Sequence, residues 1–326
     1  MPVPLWLDCD TGHDDAFALL LYTHSPADIK CLGVSTVFGN APLECTTWNT
    51  RAVLKAIGRE GEVEVHTGSR EPWVRPAQHY QAAESIHGTS GLDGDMILPT
   101  PTIEAKHDAV EAMHTALVES NEPAWLVATG PLTNVAKLFH QFPDLAGKIA
   151  GLSIMGGAVS GGFTSAPLEG CGNWTAWAEF NIYCDPEAAS AVFANRELAE
   201  RTVLVPLDLT HQFLATEEIR TAIAKPLTPT RKLFAGILQF FAKTYSEVFG
   251  FKEGPPVHDM LAVATAAWPS YFDFGEAGYR VKVVTEGEQC GRTIIEGTDV
   301  KGIKIPRGLD TEKLWKLVND ALDRVE

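Results

Sequence analysis

The sequence predicts an α/β fold of the Rossmann-like kind, a mainly parallel sheet flanked by helices, with the active site at the C-terminal ends of the strands. Short β-branched runs alternate with longer helical periods along most of the chain, and polar or glycine-rich loops follow the strand-like runs. Parallel strands need a crossover, usually a helix, so this alternation implies a covered parallel sheet. Open α/β sheets bind ligands beyond the carboxyl ends of their strands, so those loops are expected to converge on one site.

In chain order, Val3–Leu7 reads as a strand and Ala16–Tyr22 as a helix, then Cys31–Val37 as a strand and Leu43–Ile57 as a helix. Further strands are expected at Trp125–Ala128, Ile149–Met155 and Thr202–Pro206, with helices at Leu132–Phe139, Pro186–Ala194 and Glu217–Ala224. Helices at Pro229–Phe249 and Asp259–Trp268 follow, then a strand at Tyr279–Val284. A last helix, Thr311–Val325, is capped by Asp310. No repeat or low-complexity stretch interrupts this pattern, so residues 1–326 are read as a single domain.

Hydrophobic residues make up 45% of the 326 and charged residues 21%, ordinary values for a chain with a substantial core. No apolar run approaches the roughly 18 residues of a membrane span. The opening Met1-Pro2-Val3-Pro4-Leu5-Trp6 lacks the basic and apolar regions of a secretory signal, and a cytoplasmic location is expected. Cys9, Cys31, Cys45, Cys171, Cys184 and Cys290 are scattered without a C-x-x-C pair, so reduced, packed thiols are expected. The formal net charge of −16 argues against nucleic acid and anionic membrane as partners. No Gly-rich phosphate-binding motif is present.

The first strand runs into Asp8-Cys9-Asp10-Thr11-Gly12-His13-Asp14-Asp15. Two carboxylates about 5 Å apart repel by roughly 3 kcal/mol at an effective dielectric near 20. A group of them therefore requires a cation, a proton or strong donors. Asp14 or Asp15 could instead cap the following helix. Oxygen donors with one nearby imidazole favour a hard ion, Ca²⁺ or Mg²⁺. Strand alternation turns the soft Cys9 away from Asp8 and Asp10. The spacing is not that of an EF-hand.

Leu7-Asp8-Cys9-Asp10-Thr11-Gly12-His13-Asp14-Asp15-Ala16 resembles the D-x-D-P-G-x-D-D signature of the inosine–uridine-preferring nucleoside hydrolase family, with Thr11 in place of the usual proline. The resemblance continues in order through Val37-Phe38-Gly39-Asn40, Ile86-His87-Gly88, Val127 to Asn134, Ile154-Met155-Gly156-Gly157, Ala178-Glu179-Phe180-Asn181 with Asp185 to Ala189, and Val257-His258-Asp259. It implies hydrolysis of the N-glycosidic bond of ribonucleosides, a Ca²⁺ cofactor and a homodimer or homotetramer. The implied calcium ligands are Asp10, Asp15, Asp259 and the backbone carbonyl of Thr129, with Asp10 also the general base. Asp14, Asn181 and Asp259 would hold the ribose diol, Asn173 and Glu179 the 5′ hydroxyl, and Asn40 the water and diol. His258 would protonate the leaving base, and His87 and Tyr245 would lie near it.

Other readings of single residues stay open in the sequence. Asp8 reads as a strand-end residue and Asn134 as a support for the Thr129 turn. His258 could simply lead into a helix, and Tyr245 could be core. Trp174 and Trp177 could flank a base or cover the core or a subunit interface. Ala158 to Gly172 is longer than the compact loop expected there, which leaves Asn173 and base preference open. A haloacid-dehalogenase-type Mg²⁺ phosphatase also opens on a strand and D-x-D, but Gly12 stands where its pattern wants Thr or Val, and Asp14-Asp15 is foreign to it. A non-catalytic Ca²⁺- or ribose-binding protein would have no use for a water-activating Asp10 or for the His258–Asp259 pair.

Overall fold

Six strands form one parallel sheet: β1 (Val3–Cys9), β2 (Ile29–Thr36), β3 (Val65–Thr67), β4 (Trp125–Ala128), β5 (Gly151–Met155) and β6 (Thr202–Val205). The computed structural model describes residues 1–76, 86–94, 96–160, 163–164 and 172–325. Strand order is β3-β2-β1-β4-β5-β6, and every neighbouring pair is parallel. The order reverses between β1 and β4, which opens a crevice beyond their carboxyl ends. Asp8, paired with Ala128 and Ser35, ends the shared register there.

Both sheet faces are buried, so the strands are apolar on both sides rather than alternating with polar residues. Leu5, Leu7 and Cys9 pack with Asp15–Thr23, Met260–Ala267 and the C-terminal helix, while Trp6, Leu126 and Ala128 pack with Thr133–Gln141 and Pro186–Ala194. Cys9 thus faces away from Asp8, as expected. Helices Pro186–Ala194, Pro229–Phe249 and Thr311–Val325 match expectation, and the other expected helices shift by one or two residues at their ends. Asp310 caps the last helix by accepting from the Lys313 amide at 3.1 Å. Strand β3, the helix Ala109–Glu119 and the strand Thr293–Thr298, which pairs antiparallel with Tyr279–Val283, were not expected.

Arg231, 2% exposed, fastens the long helix Pro229–Phe249 to the C-terminal helix. Its guanidinium donates to the Ile223 carbonyl at 3.1 Å, Asn319 Oδ1 at 3.2 Å and Asp323 Oδ1 at 2.5 Å. Among the described residues no helix is long and apolar enough to cross a membrane.

Trp6 donates from its indole to Ser35 Oγ at 2.9 Å, and Ser35 donates onward to Asp8. Gly33 lies under that indole. A Cβ there would stand 2.4 Å from the Trp6 ring, and the residue's φ is +154°. Neither the buried ring nor the paired strand can yield cheaply, so Gly33→Ala should cost about 1–3 kcal/mol. The urea midpoint should fall at constant slope, and an unchanged midpoint would contradict this account of the β1–β2 pairing.

Candidate active site

The loops at the reversal of strand order bring four carboxylates together. Asp10 follows β1, Asp14 and Asp15 open the helix Asp15–Thr23, and Asp259 leads into Met260–Ala267. None is more than 5% exposed. Asp14 caps no amide of its helix through its side chain, so the capping alternative for it is excluded. Carboxylate oxygens of Asp14, Asp15 and Asp259 all lie within 4.8 Å of one another. Asp10 borders this trio with one oxygen, Oδ1, that is buried without a protein partner.

Burial drives all four carboxyls upward, and mutual repulsion adds to it for Asp10, Asp14 and Asp259. Asp14 is pushed up to about 7, by burial first and by Asp15 second. Asp10 and Asp259 are held well above the usual carboxylate range. Neutral donors offset part of the strain. The Gly12 amide and Thr129 hydroxyl each donate to Asp15 at 2.8 Å, the Asn40 amide to Asp10 at 2.8 Å, and the His258 amide to Asp14 at 3.2 Å. No lysine or arginine lines the cavity among the described residues. Buried anionic oxygens with an orphaned lone pair and no counter-charge fit a hard cation, as the sequence suggested.

Asp8, inside β1, does not line the cavity. It accepts from Ser35 and from Asn134 Nδ2 at 2.8 Å, and burial pushes it up to about 7. Asn134 also donates to the Thr36 carbonyl at 3.1 Å. It therefore braces the ends of β1 and β2 directly, and the expected support of the Thr129 turn is at most indirect.

The cavity encloses ≈ 280 Å³. Its polar lining includes Asp14, Asn40, Thr129, Glu179, Asn181 and Asp259. Asn181 donates to the Thr129 carbonyl at 2.8 Å, which leaves its amide oxygen for a ligand. Glu179 caps the helix Phe180–Cys184, accepting from the amides of Gly157, Asn181 and Ile182, and burial raises its carboxyl. Asn173 Oδ1 accepts from the Phe180 amide at 3.0 Å, so it stays within the site despite the long preceding segment. Of that segment, residues 161–162 and 165–171 lie outside the described residues, as does Cys171.

The rest of the lining includes Ile86, His87, Trp174, Phe241, Tyr245 and His258. Tyr245 is in the cavity wall, and its hydroxyl meets His258 Nε2 at 2.8 Å while Thr210 Oγ1 meets His258 Nδ1 at 2.7 Å. Burial keeps His258 and His87 well below the ordinary histidine range, so both are neutral near pH 7. Trp174 lines the cavity against Phe180 and Tyr183, whereas Trp177 lies beneath the Arg292 guanidinium at 4.7 Å and outside it. Sequence reading missed Phe241 and Thr210. Thr210 ends the short helix Leu207–Thr210 that follows β6, and no polar candidate was named after that strand.

Carboxyl and amide groups together with aromatic and imidazole groups suit a ligand with a hydroxyl-rich part and a flat ring, and the carboxyl cluster could hold a cation. Comparison with known proteins gives the same class. Residues 5–316 match the family described as inosine-uridine preferring nucleoside hydrolase. The chain is 39% identical over 341 residues to the uridine nucleosidase of Saccharomyces cerevisiae, spanning 99% of this chain and 97% of that protein. It is 38% identical over 300 residues to the pyrimidine-specific ribonucleoside hydrolase RihA of Escherichia coli, spanning 91% and 89%. The solved structure of a purine-preferring ribonucleoside hydrolase from Gardnerella vaginalis aligns at TM-score 0.85 and 28% identity over 99% of this chain and 98% of that one. The chain belongs to the inosine-uridine preferring nucleoside hydrolase family and is a ribonucleoside-hydrolysing enzyme. Neither the phosphatase nor the non-catalytic reading is favoured by these matches.

Carboxyls whose folded pKa is raised make stability fall as pH climbs through the folded value. Below about pH 6.5 the buried histidines act in the opposite sense, because they must stay neutral. Between about pH 6.5 and about pH 8 the carboxyls therefore dominate. The melting temperature of chelator-treated protein should fall across that window, and a divalent cation should raise it more at the upper end. A cation effect that is equal at both ends, or absent, would contradict the cradle.

Proposed function

We propose that the chain hydrolyses the N-glycosidic bond of ribonucleosides, pyrimidine ribonucleosides foremost, to ribose and free base with the help of Ca²⁺. The observation that carries this reading is the cluster of four buried carboxylates, without a protein counter-cation among the described residues, at a cavity also lined by aromatic and imidazole groups. Two curated relatives, named as a uridine nucleosidase and as pyrimidine-specific, support the base preference.

Asp10, Asp15, Asp259 and the Thr129 carbonyl would hold the ion, and Asp14 is close enough to share in the electrostatics. A bound Ca²⁺ supplies the positive charge that acidifies a water and favours a deprotonated sugar-facing shell. Asp10 takes a proton through Oδ1, the oxygen with no protein partner. Asp14, Asn181 and Asp259 hold the 2′ and 3′ hydroxyls, Asn40 orients the water and diol, and Asn173 with Glu179 holds the 5′ hydroxyl. These oxygens stabilise an oxocarbenium-like sugar as the base departs. A neutral His258 relays a proton to the base: it gives one at Nε2 through the Tyr245 hydroxyl as it takes one, drawn from solvent, at Nδ1 through the Thr210 hydroxyl. His87 contacts the base.

We read residues 1–326 as one domain working as a homodimer or homotetramer, on family resemblance. A cytoplasmic setting suits the free thiols of Cys9, Cys31, Cys45, Cys184 and Cys290.

Ribose release from a panel of uridine, cytidine, inosine, adenosine and guanosine tests the assignment. Activity should vanish on chelation, return with Ca²⁺ and be lost in Asp10→Asn. Full activity in metal-free protein would sink the calcium reading. A buried polar group left without its hydroxyl costs on the order of 1–3 kcal/mol, so deoxyuridine should be at least about 10-fold poorer than uridine in kcat/KM. Equal values would remove Asp14, Asn181 and Asp259 from the diol.

General acids commonly contribute about 10²- to 10⁴-fold, and only where the leaving group needs a proton. His258→Ala should slow uridine hydrolysis by such a factor while a nitrophenyl riboside is hardly affected. Equal slowing of both with metal content unchanged would make His258 structural.

A further inference from the structure

His13, the one imidazole in the opening acidic loop, has no role in the chemistry above. It is fully buried and stacks on Phe240 and Phe241, with ring centroids 4.9 and 5.4 Å away and nearly parallel planes. Its Nε2 lies 2.8 Å from the Asp93 carbonyl oxygen, and its Nδ1 lies 3.2 Å from His87 Nδ1. Gly12 makes that approach possible, since a Cβ there would stand 2.7 Å from His87 Nδ1.

The hydrogen-bond directions in this chain are fixed by chemistry. A carbonyl oxygen only accepts, so His13 Nε2 carries a hydrogen. Among the described residues His13 stacks on phenyl rings and meets no carboxylate oxygen, so it is neutral and its Nδ1 is a lone pair. His87 Nδ1 must then donate. The backbone amide of His13 also points at His87 Nδ1, but at 3.5 Å, the limit of a hydrogen bond, and the shorter contact decides. A neutral His87 that is protonated at Nδ1 has a bare Nε2. That nitrogen has no partner among the described residues, and His87 lines the cavity.

We propose that His13 is a positioning residue that locks His87 as the Nδ1–H tautomer, so that the Nε2 lone pair accepts an N–H of the nucleobase. The proposal rests on the reading of this cavity as a nucleoside site. It extends that reading by giving the base wall a polarity: it selects bases that present an N–H donor, such as the ring N–H of uracil. The same residue steadies the backbone that carries His87. The Asp93 amide donates to the His87 carbonyl at 3.0 Å, and the Asp93 carboxylate collects the amides of Thr89 and Ser90. His13 closes this turn from the side by binding the Asp93 carbonyl.

Nitrogen-15 NMR of histidine-labelled protein tests the lock directly, because protonated and bare ring nitrogens resonate far apart. The His87 signals can be identified by their loss in His87→Gln. His87 should show a protonated Nδ1 and a bare Nε2, the reverse of the tautomer that free imidazole side chains favour. His13→Phe, which keeps the stacking surface, should return His87 to the usual Nε2–H form. It should also lower kcat/KM for uridine by about 3- to 10-fold, mainly through KM. His13→Asn, whose side-chain oxygen replaces the Nδ1 acceptor, should restore both. Wild-type His87 found as the Nε2–H tautomer overturns the proposal even if no variant folds, and so does a His13→Phe spectrum unchanged at His87. The spectrum does not depend on turnover, so a correct tautomer in a protein inert toward every nucleoside would overturn the functional reading and leave the lock standing.

Discussion

Four buried carboxylates crowd together at one cavity, and among the described residues no protein cation stands with them. Such a cluster is tolerable only with protons or a bound ion, and everything around it is arranged to hold it in place. Amides from Gly12, Asn40 and His258 and the Thr129 hydroxyl point inward at its oxygens. These donors come from the ends of β1, β2 and β4 and from the start of a helix, so the cluster needs the parallel sheet to exist. The sheet in turn places it at the reversal of strand order, where no strand closes the crevice. Fold and site are one constraint met at two scales.

The aromatic and imidazole part of the lining works by different physics. Its histidines are kept neutral by burial, so what matters is which nitrogen holds the single hydrogen. His258 has hydroxyls at both ring nitrogens, each able to give or accept, and its proton can shift without leaving an unsatisfied group. His87 has an imidazole on one side and open cavity on the other, which fixes its polarity. This part of the lining therefore offers a movable proton and a fixed lone pair, and the carboxyl cluster offers anionic oxygen.

Much of this was legible in the chain because parallel sheets put functional residues just after strands. Asp10, Asn40 and Thr129 could be placed from the apolar runs that precede them, whereas His258 and Asp259 were named through the family resemblance of Val257-His258-Asp259. What stayed hidden lacked a local signature. Strand β3 is three residues long, and the helix Ala109–Glu119 buries only Ala109, Met113 and Leu117, a stripe too thin to stand out. The strand Thr293–Thr298 is mostly half-exposed or exposed. Thr210 and Phe241 matter only because distant elements bring them to the cavity. His13 was visible as a residue, but its contact with His87 spans 74 positions and no spacing rule reaches it. Asp8 shows the converse: it shares the acidic motif, yet it lies inside β1, where Ser35 and Asn134 take up its carboxyl.

The Arg231 clamp gives the cavity a second dependence, far from the chemistry. Phe241 and Tyr245 are carried on the same rigid helix whose first turn is tied to Asn319 and Asp323. A buried guanidinium deprived of its partners is costly, so the two helices are thermodynamically linked. Linkage is reciprocal: whatever steadies one end of a two-helix unit steadies the other by the same free energy. A ligand that packed on Phe241 and Tyr245 would therefore be felt at Thr311–Val325, and fraying of that terminal helix would weaken its hold.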